Sequence, residues 1–424
     1  MKKSLVLLIL VAMLVPSALL AKRTWKLRGT LKAKHLMPLL SAKFGTSALK
    51  NVEVRVKGSY KITKKKWGPY GSWGTVRTNS NGVFSLTKKK SKKPRRFKVE
   101  VKFEDKKVLV KKSKWITVYS SSRSHNGPSV DFGHLIFKEG GRGELGKRTP
   151  RVHADIWVAA HLLVRKMASY GYPYKSKLRV KYPSNTVAKD SAESSFANPA
   201  TKVINLFRAK NGVRDHADVR TLYHEAMHIW AYQHCWGELG LAMRLLIERT
   251  THGLVKKSFV AFHEGFAEFG KDVLVKKIFN VVDAEKPYTR HYLNNDVPYQ
   301  PITNLDKLNR HDYGWRSIFH MLILNNLEMY SVGTKSSPNQ KFAYTVSIRK
   351  KRYDSPRLNF RDILKSFQKA KSKGYKSVIK KKEMSLTPYL KRLAAICPGF
   401  KKKHIKAIKE VLNPAGTKQP ADVF

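Results

Sequence analysis

Two histidines and a glutamate lie close together in the segment Thr221–Trp230, which reads TLYHEAMHIW. On an α-helix, His224 and His228 stand one turn apart on the same face, so both imidazoles can reach one metal ion. Glu225 is rotated by about 100° from His224, which places its carboxylate beside a water on that ion. This pattern predicts hydrolysis by a water that a zinc ion activates and that Glu225 deprotonates.

A catalytic zinc site also needs a third protein ligand and an open position. The sequence offers two candidates, His234 and Glu264. A ligand at His234 requires the helix to end sharply near Ala231, a position where positive φ calls for glycine. If the helix continues, His234 lies about 240° beyond His228 and points away from the metal. Spacing alone does not decide which of the two residues is the third metal ligand.

The HExxH pattern followed by His263–Phe269, which reads HEGFAEF, resembles the gluzincin metallopeptidases. In that family the glutamate of the EG motif is the third ligand, so the resemblance implies Glu264. The spacing to His234 is similar to that of the metzincins, but without their glycine. Glu268 follows Glu264 by one helical turn, from where it can orient a ligand histidine. His263 is a less favoured ligand, because no family pattern places one there.

The same resemblance suggests a group that steadies the substrate carbonyl oxygen. Several gluzincins carry a tyrosine followed by glycine after the EG motif, and Tyr313 matches that position loosely. His311 could serve instead, and Tyr313 could equally pack at the start of a helix. No Gly-x-Met-Glu-Asn segment, the anchor for a free amino terminus, is present, which favours an endopeptidase acting on peptides or proteins.

The elements around the motif agree with a mainly helical α+β domain. Apolar spacing predicts a helix over Ile156–Met167, a strand at Lys177–Tyr182 and a hairpin over Ser194–Leu206. Asp215 or Asp218 can cap the HExxH helix, and the chain beyond is expected to be predominantly helical. This order resembles the N-terminal subdomain of the zincins, whose edge strand pairs with extended substrate.

The first third of the chain alternates with period two, as in Val52–Val56 and Phe97–Phe103. A turn sequence at Thr78–Gly82 separates the short strands Trp73–Val76 and Val83–Leu86. Short strands with turns between them predict an antiparallel β-sandwich. Their order resembles transthyretin-like and carboxypeptidase-regulatory-like sandwiches, which are accessory modules, and this region offers no catalytic set.

The expected architecture is therefore multidomain, an antiparallel β-sandwich followed by a zincin-like catalytic domain. Its segments are a signal peptide (1–21), the sandwich (22–138), a glycine-rich linker (139–150), the metallopeptidase domain (151–335) and a basic helical C-terminal region (336–424).

The N-terminus indicates export. Lys2 and Lys3 precede the apolar run Leu5–Val15, and the small residue Ala21 ends the segment, as in a secretory signal peptide. An uncleaved anchor is the alternative, since the apolar stretch nearly reaches the ~20 residues that span a bilayer. After cleavage we expect no membrane span. In an oxidising compartment Cys235 and Cys397 could pair.

The charge is extreme, with 85 Lys and Arg against 29 Asp and Glu, a net charge of +56. Such a balance predicts non-specific adhesion to anionic polymers or surfaces. Basic residues are dense in Lys61–Glu100 and Lys371–Glu410, so general retention is favoured over specific nucleic-acid recognition. An alternative function follows, a basic extracellular polyanion-binding protein whose zincin-like domain is inactive.

Overall fold

The computed structural model describes residues 23–63, 66–90, 94, 96–111, 115–121, 125, 127–137, 148–183, 195–198, 201–207, 218–234, 258–280, 319, 330–337, 340–347, 358–367 and 386–406. The chain divides into two compact units, Met1–Ala159 and Ala160–Phe424. The division falls inside a helix rather than in the glycine-rich segment 139–150. The expected signal peptide and most of that segment lie outside the described residues.

The first unit is built from two β-sheets. In one sheet β1 pairs antiparallel with β2 and β5 and parallel with β9; the other sheet has the antiparallel order β4-β3-β6-β8. The strands are β1 (Arg23–Lys34), β2 (Thr46–Ala48), β3 (Glu53–Ser59), β4 (Gly71–Arg77), β5 (Val83–Lys90), β6 (Arg96–Lys102), β7 (Val108–Lys111), β8 (Ile116–Ser120) and β9 (Ser129–Phe137), with helix α1 (Pro38–Phe44) after β1.

Aromatic side chains join the two sheets. The ring of Trp25 on β1 meets Trp73 on β4 edge to face at 5.7 Å. Phe132 on β9 lies 5.9 Å from Phe97 on β6 and 5.1 Å from Tyr119 on β8. Because alternate residues of each strand point inward, these rings come from the period-two pattern that the sequence shows. The expected sandwich packing is therefore observed.

One detail of the expected antiparallel sandwich is wrong. The pair β1–β9 is parallel, because these strands are the first and last of the unit and the intervening chain supplies the long crossover that a parallel pair needs. The predicted turn at Thr78–Gly82 is confirmed, and it links the two sheets, since β4 and β5 belong to different sheets. Gly82 has φ +74°, and a Cβ there would strike the carbonyl oxygen of Leu31, so only glycine fits.

A buried polar cluster holds the segment after β1. Asp155 accepts hydrogen bonds from the amides of Leu36 and Met37 at 2.7 and 2.8 Å, and its other oxygen lies 2.6 Å from Nδ1 of His35. Nε2 of His35 lies 2.7 Å from Oγ of Ser47. This is the bonding order of a Ser-His-Asp triad, but the His35 and Asp155 side chains are both 0% exposed. A substrate has no access to the imidazole, so the cluster is structural.

Removing the carboxylate should therefore destabilise the first unit. We expect Asp155→Ala to lower the free energy of unfolding by about 3 kcal/mol or more, because two amides and an imidazole lose their buried partner. The control Ser47→Ala removes one half-buried hydroxyl and should cost about 1 kcal/mol. Urea unfolding of the full chain, followed by circular dichroism, measures both. Equal losses in the two variants would contradict a central role for Asp155.

The second unit begins within helix α2 (Arg148–Ser169), so Arg148–Pro150 are helical rather than linker. The predicted strand and hairpin are confirmed: β12 pairs parallel with β10 and antiparallel with β11. The remaining elements are β10 (Leu178–Lys181), β11 (Phe196–Asn198), β12 (Val203–Asn205), α3 (Val219–His234), α4 (Ser258–Phe279), β13 (Tyr330–Ser337), β14 (Gln340–Ser347), α5 (Phe360–Ser366) and α6 (Leu386–Ile396).

The expectation of a helical C-terminal region is only partly right. Strands β13 and β14 pair antiparallel across the boundary expected at residues 335–336, and helices α5 and α6 follow. The segment Tyr330–Ser347 is rich in Val, Thr, Tyr and Phe, and Pro338-Asn339 lies between the strands. β-branched and aromatic residues around a turn sequence favour a hairpin, a signal that the overall basic helical pattern obscures. Within the described residues, no helix is long and apolar enough to cross a membrane.

Candidate metal centre

The HExxH sequence lies on α3, which starts where the sequence predicts. Asp218 caps the helix, since its carboxylate accepts from the amide of Arg220 at 3.2 Å and its carbonyl accepts from Leu222 at 2.9 Å. Asp215, the other expected cap, lies outside the described residues. The helix runs without a break through Ala231 to His234. It therefore lacks the sharp end that a ligand at His234 would need.

Three side-chain atoms converge where α3 crosses α4. Nε2 of His224 and Nε2 of His228 are 3.0 Å apart. Oε2 of Glu264 lies 3.2 Å from the first nitrogen and 3.1 Å from the second. The structure thus brings both predicted histidines and the favoured third ligand, Glu264, to one point.

The spacing of these atoms suits a zinc ion. With bonds of about 2.0–2.1 Å, tetrahedral coordination places neighbouring ligand atoms roughly 3.3 Å apart, close to the 3.0–3.2 Å observed. Two imidazoles and a carboxylate are also a zinc donor set, whereas calcium and magnesium prefer oxygen ligands throughout. His224, His228 and Glu264 would hold the ion.

Glu225 stands beside this point rather than within it. One of its oxygens lies within 4.8 Å of both imidazoles, farther than Glu264. Its carboxylate is almost fully buried and accepts a hydrogen bond from the backbone amide of Ala197 on β11. Burial raises the pKa of Glu225, and the nearby carboxylate of Glu264 adds to the rise, while the charges of His228 and His224 oppose it. The hydrogen bond from the amide of Ala197 was not predicted, because every residue except proline has a backbone amide and the sequence does not show which one is used.

Glu268 supports His224 from the side away from the convergence point. Its Oε1 lies 2.7 Å from Nδ1 of His224, and its Oε2 contacts Nζ of Lys271. A carboxylate on Nδ1 fixes the tautomer of the ring, so Nε2 is left with its lone pair towards the ligand position. The orienting role predicted for Glu268 matches this geometry. Lys271 was overlooked, although its spacing of three from Glu268 could have signalled it.

The ionisable groups at this point shift one another's pKa values. Burial alone would lower the pKa of His224, but hydrogen bonds to Glu264 and Glu268 outweigh it and raise that pKa to about 10. Burial tends to raise the pKa of Glu264, yet the His228 charge and hydrogen bonds from both imidazoles hold it far below its usual range. A proton on His224 therefore supplies positive charge between the ligand atoms.

His234 is not close to the proposed ligand position, and its side chain contacts the segment before β10 instead. Its Nε2 lies 2.9 Å from the carbonyl oxygen of Pro173, and its ring stacks on Trp230, whose indole N–H donates to the carbonyl of Tyr172 at 2.9 Å. Further bonds join the same two segments: Tyr174 hydroxyl to Ala226 carbonyl at 3.0 Å and Lys175 amide to Gln233 at 2.7 Å. The segment 172–176 thus clamps α3 on the side away from the ligands.

The two faces of α4 explain why Glu264 points at α3. Phe262, Phe266 and Phe269 recur at helical spacing and pack into an aromatic cluster with Phe319, Phe360, Phe367 and Tyr389. Glu264 and Glu268 lie on the opposite side of the helix. His263, the less favoured ligand, packs edge to face on His228 with centroids 4.6 Å apart. Burial lowers the pKa of His263 to about 3, so its ring is neutral.

Three residues singled out in the sequence cannot be placed. Tyr313 and His311, the groups considered for the substrate carbonyl, lie outside the described residues, as does Cys235. Cys397 is buried.

Comparison with known proteins does not assign this chain to a family. No family model and no curated protein matches the sequence. Among solved structures, a 9R-lipoxygenase from Cyanothece matches 37% of this chain and 25% of its own, with 15% identity and a TM-score of 0.17. The human-specific toxin intermedilysin matches 27% of this chain and 21% of its own, with 12% identity and a TM-score of 0.14. The chain spans about a quarter or less of each protein, and TM-scores this low carry no argument.

Metal content tests the ligand set directly. We expect the purified chain to bind about one zinc ion, since its three ligands form one catalytic-type set. Glu264→Ala should remove the metal, because only two imidazoles remain. The control His234→Ala removes the hydrogen bond to Pro173 and should retain the zinc ion. Elemental analysis after dialysis measures the zinc content of both variants. Zinc retained in the first variant and lost in the second would make His234 the ligand.

The close packing of α3 on α4 gives a second test. A Cβ on Gly270 would lie 2.8 to 2.9 Å from side-chain atoms of Met227, between the two ligand histidines. Gly270→Ala should therefore push the helices apart, destabilise the fold by about 1–3 kcal/mol and weaken zinc binding. The control Gly399→Ala adds a methyl where nothing lies within 4 Å. Competition with a zinc chelator measures the affinity, and unchanged affinity in Gly270→Ala would contradict the tight crossing.

Proposed function

We propose that this protein is a secreted zinc-dependent peptidase of the gluzincin type, acting as an endopeptidase. The observation that carries the proposal is the convergence of Nε2 of His224, Nε2 of His228 and Oε2 of Glu264 within 3.2 Å of one another, with Glu225 beside them. A bound zinc ion would supply Lewis acidity, which lowers the pKa of water towards ~7 and polarises a carbonyl.

Glu225 is the general base of the proposed reaction. Its carboxylate takes a proton from the attacking water and delivers it to the leaving amine. Burial raises the pKa of Glu225, which strengthens it as a base, and the amide of Ala197 fixes where the carboxylate points. Glu268 and Lys271 act through His224, whose ring they hold in place. Tyr313 or His311 is proposed to donate a hydrogen bond to the carbonyl oxygen of the scissile bond.

The neighbourhood of Glu225 supports a peptide as the substrate. Strand β11 stands at the end of its sheet and pairs with β12. Ala197 of β11 stands in register with Ile204 of β12, and its amide bonds to the Glu225 carboxylate, so this strand lies beside the proposed reaction site. An extended peptide can add to such an edge by backbone hydrogen bonds, with its scissile bond next to Glu225.

The rest of the chain fits an exported enzyme. We propose that residues 1–21 are a signal peptide and that the first unit is an accessory sandwich of the transthyretin-like or carboxypeptidase-regulatory-like kind. The alternative, an inactive zincin-like domain, leaves the complete set of His224, His228, Glu264, Glu225 and Glu268 without a purpose.

One substitution separates metal binding from turnover. Glu225→Gln should keep the zinc ion and the fold but reduce hydrolysis of a peptide library by about a hundredfold or more, because an amide cannot accept the water's proton. The control Glu53→Gln makes the same chemical change on the surface of the first unit and should leave activity intact. Activity is followed with and without a chelator. Chelator-sensitive cleavage that survives in Glu225→Gln would refute this role.

A further inference from the structure

One face of the first unit carries a row of cations that form no ion pair with any other described residue. On β1 the residues Trp25, Leu27, Leu31 and Ala33 point inward, so the alternate residues form the outer surface. We call this surface the outer β1 face. Its cations are Lys26, Arg28, Lys32 and Lys34 on β1 and Lys89 on the neighbouring strand β5. Successive outward residues of a strand stand about 6.6 Å apart, so the β1 cations form a straight row of roughly 27 Å.

The other sheet also carries cations on its outward face, but most of them lie in ion pairs. Buried Glu100 on β6 accepts from Arg55 at 2.6 Å and lies 3.2 Å from Nζ of Lys57 and 3.4 Å from Nζ of Lys98. Two more pairs lie on this face, Arg77 with Glu53 at 3.4 Å and Lys102 with Glu104 at 2.6 Å, while the guanidinium of Arg96 stacks over the ring of Trp67. In the described part of the chain, no ion pair involves any cation of the outer β1 face.

Among the residues that the structure describes, the outer β1 face carries one acid. Asp131 on β9 stands opposite Arg28, and its carboxylate accepts from the amide of Gly133 at 2.7 Å. One carboxylate among five cations leaves a strong positive potential on an exposed, regular surface. That potential attracts a partner that offers several anionic groups in a line.

The residues between the cations indicate what kind of polyanion fits. Thr24, Thr30, Ser85, Thr87 and Ser129 share the face and offer hydroxyl groups. The described outward residues include the imidazole of His134 opposite Thr30 and the half-buried Ile136 opposite Lys32, but no Trp, Tyr or Phe ring. Single-stranded nucleic acids are held largely by stacking on such rings, and membrane surfaces by apolar insertion. A sulfated sugar chain requires neither.

We propose that the outer β1 face binds a linear sulfated polysaccharide. Its sulfates lie along the Lys26–Lys34 row, and its remaining oxygens bond to the threonine and serine hydroxyls. The site is separate from the metal centre in sequence and chemistry, and it holds the protein on an anionic matrix whether or not the metal centre turns over.

Two variants of equal charge test the proposal in the full chain. The first changes Lys26, Arg28, Lys32 and Lys34 to Gln on the outer β1 face; the second, the control, changes Lys57, Arg77, Lys98 and Lys102 to Gln on the other sheet. All eight side chains lie on outward faces, and circular dichroism checks the fold of both. Binding of a size-defined heparin oligosaccharide is measured by titration at several salt concentrations.

The first variant should bind heparin roughly a hundredfold more weakly and show a salt slope shallower by about three, since each neutralised anion contributes about 0.7–0.9. The control should stay within about threefold of the unchanged chain, because its cations already have partners. Equal losses in both variants would overturn the proposal in favour of net charge. It would also be overturned if oligothymidylate, or phosphatidylcholine vesicles with about a third phosphatidylserine, bound the outer β1 face more tightly than heparin.

Discussion

Three atoms with lone pairs, held about 3 Å apart, repel one another unless a proton or a metal cation lies among them. Nε2 of His224, Nε2 of His228 and Oε2 of Glu264 are in this position, and the surrounding structure keeps them there. The aromatic side of α4 locks that helix in the core, Gly270 lets it approach Met227 closely, and the segment 172–176 clamps α3. The scaffold therefore holds the three ligand atoms in an arrangement that a proton on His224 or a bound cation stabilises.

Much of this site can be predicted from sequence because its key spacings are local. Residues four apart on a helix share a face, which fixes the His224–His228 pair and the Glu264–Glu268 pair without tertiary information. The contact between these two pairs joins residues that are far apart in sequence, and a family resemblance rather than geometry suggested it. The amide of Ala197 could not be foreseen, since any residue offers one. The β1–β9 parallel pair escaped prediction for a similar reason, because alternation indicates a strand but not the direction of its partner.

The net charge can be read from the sequence, but the location of the cations that can bind a ligand depends on the structure. The net charge of +56 indicates an anionic partner but cannot say where it binds. Within the basic run Lys61–Glu100, Lys98 joins Arg55 and Lys57 in a cluster of ion pairs around Glu100, whereas Lys89 belongs to the outer β1 face. The cations of the outer β1 face have no such partner among the residues that the structure describes. Pairing, which depends on register between distant strands, decides which cations remain available to a ligand.

The most direct test of the metal centre is X-ray absorption at the zinc edge of the purified full chain. The ligand set of His224, His228 and Glu264 predicts two imidazole nitrogens and oxygen ligands at about 2.0–2.2 Å, with multiple-scattering features from two rings and no sulfur shell. A spectrum with three imidazoles, or with sulfur at about 2.3 Å, would contradict this centre, as would a chain that binds no zinc.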